Sequence, residues 1–352
     1  MLVKNKLMSY NNRMKKDVKV LAIESSCDET SCSVVENGRK CLSNVVSSQI
    51  DIHTRFGGVV PEVASRNHIT AIDNVVALAL KQANCSLENI DVLAVTYGAG
   101  LIGSLLVGVS YAKGLSYATK KPLVAVNHIY GHIAGNYLTY PDLEPPFVCL
   151  LVSGGHTAII KVEDYNHHEV IGTTLDDAVG ECFDKVAREC NLEYPGGPNV
   201  QKQAKLGEVN MKFTGMWKEK IKDFNFSYSG LKTAVINYIH NEKQRGNELN
   251  IPNICASFQD EAVGQVVSKS IYALKQLGYD KIVLAGGVSA NELLRQKMDE
   301  EASKIDAKVF YPPIKLCTDN AAMIASAGYY SFINNKSIVD PKTLVPTSTI
   351  AL

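Results

Sequence analysis

The chain has 352 residues, 46% hydrophobic and 20% charged, and its 36 Lys+Arg balance its 36 Asp+Glu. Such a length exceeds what one core usually organises, so two domains are expected. Zero formal charge argues against a protein that coats nucleic acid by itself, which needs surplus cations, while leaving room for a local basic groove.

The nine cysteines are scattered and none forms a C-x-x-C pair, so neither a disulfide framework nor a cysteine zinc site is indicated. No apolar run reaches the roughly 18–20 residues of a membrane span. The expectation is a cytoplasmic chain with reduced thiols and no membrane segment. Residues 1–17 carry Lys4, Lys6, Arg13, Lys15 and Lys16 but no apolar h-region, which argues against a secretory signal. They read as a disordered leader, or as an upstream start with Met14 as the true one.

From residue 18 the pattern becomes regular. Val20–Ile23 is a short buried strand, Ser25–Ser31 a turn, and Cys32–Glu36 the next strand. Asn37-Gly38 is the pair a two-residue type I′ hairpin prefers, because both positions need positive φ. Lys40–Ser47 returns as a third strand, and Pro61–Lys81 turns helical, with Ile69, Ile72, Val76 and Leu80 on one stripe. A second version follows: Phe147–Val152, a turn Ser153-Gly154-Gly155-His156-Thr157, Ala158–Val162, and His168–Thr173. A repeated β-meander opening each half predicts a duplicated α/β protein with a cleft between two lobes. Breakers at Tyr140-Pro141-Asp142 and Pro145-Pro146 divide a first lobe, 18–143, from a second, 144–319. The second lobe continues with a helix over Asp177–Asn191, a loop at Tyr194–Pro198, a strand Lys281–Ala285, and a helix from about Ala290. A last helix, about 320–334, is expected to pack back on the first lobe, leaving 335–352 as a tail.

His128 and His132 are four apart, which on a helix puts both imidazoles on one face, close enough to share a metal. Taken alone, such a pair is more often a surface coincidence. Tyr130, about 200° round the helix from His128, should point away. A zinc peptidase needs H-E-x-x-H with the glutamate as base; Ile129 stands there and cannot accept a proton. Asp319, where a loop meets the last helix, has the chemistry of a third ligand, although a helix N-cap is the commoner use of Asp there. Val152–Thr157 and Ala285–Asn291 are glycine-rich turns whose N–H groups suit anions or nucleotides. Neither matches G-x-x-x-x-G-K-S/T or G-x-G-x-x-G, so Walker and Rossmann sites are absent.

Several motifs together carry a resemblance: Ile23–Thr30, Gly57–Arg66, the His128/His132 segment, Leu151–Thr157, Tyr194–Pro198, Phe226–Thr233, Leu284–Asn291 and Cys317–Ile324. In this order they resemble the tRNA N6-adenosine threonylcarbamoyltransferase family, formerly called O-sialoglycoprotein endopeptidases. That family is a branch of the ASKHA (actin, Hsp70, sugar and acetate kinase) superfamily, and the likeness covers residue 18 to the last helix. It implies a duplicated ASKHA fold and one metal held by His128, His132 and Asp319, usually described as iron (Fe2+), with Zn2+ fitting nearly as well. It also implies a nucleotide site lined by Leu151, Val152, Ser153, Gly154, Gly155, Asp184, Gly197 and Asn291. Gln201 stands where some relatives have an acidic ligand contact, and Glu24 near the Asp of the kinase phosphate turn. The implied reaction is acyl transfer from threonylcarbamoyl-AMP to N6 of adenosine 37, in the anticodon loop of tRNAs reading codons that start with adenine. The implied partners are a paralogous ASKHA subunit and a small P-loop ATPase. The rivals are a non-catalytic ASKHA paralogue, which should lack part of the His-His-Asp set, and a small-molecule kinase.

Overall fold

The computed structural model describes residues 17–214, 221 and 223–350. The expected leader, apart from Asp17, lies outside them. Two sheets carry the architecture. The first has strands β1 (Lys19–Glu24), β2 (Glu29–Glu36), β3 (Lys40–Ser48), β4 (Val92–Gly98) and β5 (Leu123–Asn127). The second has β6 (Phe147–Val152), β7 (Thr157–Asp164), β8 (His167–Thr173), β9 (Lys281–Ala285) and β10 (Lys308–Phe310). Within each, the first three strands pair antiparallel and the last two add in parallel, giving the orders β3-β2-β1-β4-β5 and β8-β7-β6-β9-β10. One plan is therefore used twice. Ile338–Val339, in the segment read as a tail, forms β11 and extends the first sheet beyond β5.

The meander follows from local chemistry. Asn37 (φ 54°) and Gly38 (φ 70°) both adopt the left-handed turn geometry expected of the pair. β1, β4, β5, β6 and β9 read as near-continuous apolar runs because both faces of each sheet are covered. Against the first sheet's outer face lie α2 (Pro61–Gln82) and α3 (Ile102–Thr119), preceded by the short α1 (Ile50–Thr54). Between the sheets sit α4 (His128–Ala134) and a late helix (Ala321–Ile333), sharing one core with β1, β4, β6 and β9. The outer face of the second sheet packs α5 (Val179–Glu189), α6 (Gly196–Ala204), α7 (Ser229–Gln244), α8 (Ile251–Leu277) and α9 (Glu292–Ser303). The short α10 (Ile314–Cys317) precedes the late helix, α11. The result is five alternating helix and sheet layers.

Two expectations are corrected. Ile69 is 64% exposed, so it does not share the buried stripe of α2, which runs through Ala64, His68, Ile72, Val75, Val76 and Ala79. His68 takes the inward position because its ring bonds Thr30 Oγ1 and the Cys27 carbonyl. Gly196-Gly197-Pro198, read as loop, is instead the first turn of α6. No helix among the described residues is long and apolar enough to cross a membrane.

Candidate functional site

α4 begins where Asn127 ends β5 and caps the helix, its side chain accepting the Ile129 N–H at 2.9 Å. Gly131 then lets α11 come close, since a Cβ there would stand 2.5 Å from Ile324 Cδ1. That approach sets the residues just before α11 against the inward face of α4. Asn320, not Asp319, caps α11, accepting the Met323 N–H at 3.2 Å. The Asp319 carboxylate is thereby left free for other partners. It meets both imidazoles: His128 Nε2 lies 3.4 Å and His132 Nε2 3.3 Å from Asp319 Oδ1.

These three side chains can each offer one ligand atom, all within 4.8 Å of one another. A metal with bonds of about 2.1 Å separates adjacent ligands by about 3.0–3.4 Å, so the donor set fits one ion. The back of His128 is also organised. Its Nδ1 faces Glu24 Oε2 at 3.1 Å and Ser26 Oγ at 3.2 Å. Glu24 is fully buried and held by the Ser26 N–H and Thr96 Oγ1, an arrangement that fixes ring orientation and raises ligand basicity. His132 Nδ1, by contrast, is buried with no hydrogen-bond partner among the described residues.

The electrostatics favour a cation. Burial alone would lower the His128 pKa, yet Asp319 and Glu24 hold it well above the ordinary imidazole value. Burial likewise pushes Asp319 up, but the two imidazoles pull its carboxyl far below the usual range. Tyr130 points to the reverse face of α4, where it stacks on His168 at 4.2 Å and lines an aromatic cavity separate from the cluster.

The second meander's turn lies beside this cluster. Ser153 N–H donates to the His156 carbonyl at 2.8 Å, closing the turn. Burial, then the neighbouring His128 and His132, lower the His156 pKa to about 4. The carbonyls of Val152 and Ser153 fill spaces that only glycine leaves: a Cβ on Gly286 would be 2.4 Å from Val152 O, and one on Gly180 2.5 Å from Ser153 O. Gly154, Gly155 and Gly197 face open space, with nothing within 4 Å of a built Cβ.

The other residues of the expected nucleotide site are placed differently. Leu151 and Val152 are fully buried on β6, leaving only backbone to offer. Asp184 Oδ1 accepts the Gly196 N–H at 2.8 Å, fixing the start of α6. Burial raises its pKa, opposed by the Gly196 N–H and by the Arg188 guanidinium. Asn291 caps α9 through the Leu294 N–H at 3.0 Å and donates to Gln259 Oε1 at 2.9 Å. Gln201 also serves the protein, accepting the Glu292 N–H at 2.8 Å. Sequence reasoning missed the packing roles of Gly180 and Gly286 and the support of His128 by Glu24. The available signal for the last was an acid closing an otherwise apolar strand.

Similarity to known proteins gives the family. Residues 40–326 match the family described as tRNA N6-adenosine threonylcarbamoyltransferase. A relative of that name from Clostridium novyi (strain NT) is 53% identical, covering 92% of this chain and 95% of its own. Another, from Clostridioides difficile (strain 630), is 51% identical, covering 91% and 95%. Among solved structures, T. kodakarensis HypF aligns with a TM-score of 0.63 at 13% identity, over 92% of this chain and 49% of HypF. Component A of the Acidaminococcus fermentans (R)-2-hydroxyglutaryl-CoA dehydratase gives 0.51 at 14%, over 90% and 98%. At such identities the structures speak to the fold alone, which is that of the ASKHA proteins. With the family pattern spanning most of its length and relatives above half identity over nine-tenths of it, this chain belongs to the tRNA N6-adenosine threonylcarbamoyltransferases.

Proposed function

We propose that the chain transfers a threonylcarbamoyl group from threonylcarbamoyl-AMP to N6 of adenosine 37 in tRNAs that read codons starting with adenine. The observation carrying this reading is the convergence of His128, His132 and Asp319 beside the open turn of Gly154 and Gly155. In the reaction the adenine N6 attacks the carbamoyl carbon, a C–N bond forms, the C–O bond to phosphate breaks, and AMP leaves as N6 loses a proton. The acyl group arrives activated, so no protein nucleophile is required.

His128, His132 and Asp319 would hold one divalent metal, Fe2+ by the two-imidazole, one-carboxylate pattern, with Zn2+ the alternative. When bound, such an ion supplies Lewis acidity toward carbonyl or phosphate oxygens. The protein's own part is positioning. Ser153, Gly154 and Gly155 offer backbone to an anionic ligand, Gly197 stands in the first turn of α6, and Leu151, Val152, Asp184 and Asn291 shape the walls.

The acceptor is an anticodon loop, whose unstacked bases are reachable, unlike those of an A-form stem. Exposed apolar residues on α2 and α3, namely Ile69, Ile102 and Leu106, support docking of a paralogous ASKHA subunit, with a small P-loop ATPase as a further partner. Nine free thiols accord with a cytoplasmic setting. The test is nucleoside analysis of tRNA after incubation with threonylcarbamoyl-AMP and the partner proteins. Threonylcarbamoyladenosine should accumulate with the parent chain; its absence, or a phosphorylated small molecule formed from ATP instead, would overturn the reading.

A further inference from the structure

The loop that joins α1 to α2 presents an aromatic ring to solvent. Phe56 is 58% exposed, and Arg55 and Gly57 beside it are exposed as well. Leaving that much apolar ring in water forgoes stabilisation that burial would supply. The loop is nevertheless well built. The N–H groups of Phe56 and Gly58 both donate to the His53 carbonyl, at 2.9 and 3.3 Å, and the Val60 N–H donates to His53 Nδ1 at 3.3 Å. His53 itself is fully buried. Gly57 turns at φ +69°, and a Cβ on Gly57 or Gly58 would meet nothing within 4 Å among the described residues, so the side-chain face of this turn is open.

Both lobes hold the loop. Arg188 on α5 reaches across and donates from Nη2 to the Gly57 carbonyl at 3.2 Å. The same guanidinium acts on the carboxyl of Asp184, one turn earlier on the helix. On the other side, α1 is preceded by Gln49, whose N–H donates to the Asp28 carbonyl at 3.1 Å, in the turn that follows Glu24 and Ser26. Phe56 therefore stands at the rim of the cleft, between the turn that backs His128 and the helix that carries Asp184. Arg55 has no ion-pair partner among the described residues.

We propose that Phe56, flanked by Arg55 and Arg188, is a platform on which a base of the tRNA anticodon loop stacks. Unpaired bases stack on aromatic rings, and guanidinium groups beside the ring suit the adjoining phosphates. In a chain with zero formal charge, RNA affinity has to come from such local groups. The inference rests on the transfer reading above, and it locates the acceptor's entry point on the rim.

The test uses the full chain with its partner proteins and a fluorescent anticodon stem-loop, with binding followed across a salt series. Phe56→Ala should weaken stem-loop binding about tenfold without altering the salt slope, and Phe56→Trp should keep the parent affinity. Arg55→Ala should lower the slope of log K against log salt by about 0.7, one single-strand phosphate contact. The platform is overturned if the parent binds no stem-loop, if Phe56→Ala binds it as the parent does, or if that variant loses a partner protein instead. Absent threonylcarbamoyladenosine with Phe56-dependent binding intact counts against the transfer reading and leaves the platform standing. Unchanged stem-loop binding with transfer intact does the reverse.

Discussion

The two meander turns are copies of one design with opposite burial. In the first lobe, the turn after β1 is closed and charged: Glu24 is fully buried, and its carboxylate is spent on Ser26, Thr96 and His128. In the second, the turn after β6 is open, with Gly154 and Gly155 exposed and nothing near a built Cβ. A turn that braces a side chain must be packed and hydrogen-bonded. A turn that accepts a ligand's anionic oxygens must keep its backbone bare. The repeated plan supplies two equivalent positions, and burial is what distinguishes them.

The sharpest way to break this contrast is to dismantle the cluster in which the first turn holds His128. His132→Ala and Asp319→Ala should each strip the metal and reduce transfer more than a hundredfold, read by metal analysis of the purified protein and by nucleoside analysis. Metal content equal to the parent's would end the assignment. Glu24→Gln, which leaves both imidazoles and Asp319 in place, should cost ten- to hundredfold in metal affinity or activity, about what a lost outer hydrogen bond to a ligating histidine costs. A smaller loss than either would mean that the first turn braces nothing of consequence.

Glycines give the next comparison. Gly180→Ala and Gly286→Ala press a methyl onto backbone carbonyls, so each should lower unfolding stability by about 1–3 kcal/mol. Gly155→Ala should leave stability within about 0.5 kcal/mol, while raising KM for the adenylate. Equal destabilisation by all three would show that the second turn is a packing element after all.

The smallest effect concerns Asp176, which lies between β8 and α5. Burial alone would raise its pKa, but hydrogen bonds from Ser227 and Ser229 and the N–H groups of Tyr228 and Ser229 hold it at about 2. A carboxyl lowered in the folded state stabilises above its ordinary value of about 3.9, and that support is lost as pH falls toward the folded value. Asp176→Asn should therefore unfold slightly earlier in urea than the parent at neutral pH, with the gap shrinking below about pH 4 and vanishing near 2. Solvent exposure keeps this effect modest.

Much of this was legible in the chain itself. The alternation around Asn37-Gly38 and around Ser153–Thr157 announced both meanders, because hairpin chemistry is local. The i, i+4 histidines announced a shared helix face for the same reason. What stayed hidden depends on contacts between distant segments. The choice between Asp319 and Asn320 as cap is decided by where α11 meets α4, which Gly131 controls from nearly two hundred positions away. Ile69 reads as core by spacing, but His68 takes the inward place through bonds to β2 and the Cys27 carbonyl. The Gly196-Gly197-Pro198 turn reads as loop by composition, yet Asp184 anchors it as a helix start.

His132 and Asp319 stand 187 positions apart, and helix α11, which begins two residues after Asp319, fills the space between the sheets. On a ribosome, the first five strands and both imidazoles emerge long before the carboxylate that faces them. A nascent chain halted before Asp319 carries two of the three clustered side chains and an unfilled seam, so it cannot close the central layer. The central layer and the cluster of two imidazoles and one carboxylate are thus completed together and late, once the distant acid and the helix behind it have been translated and docked.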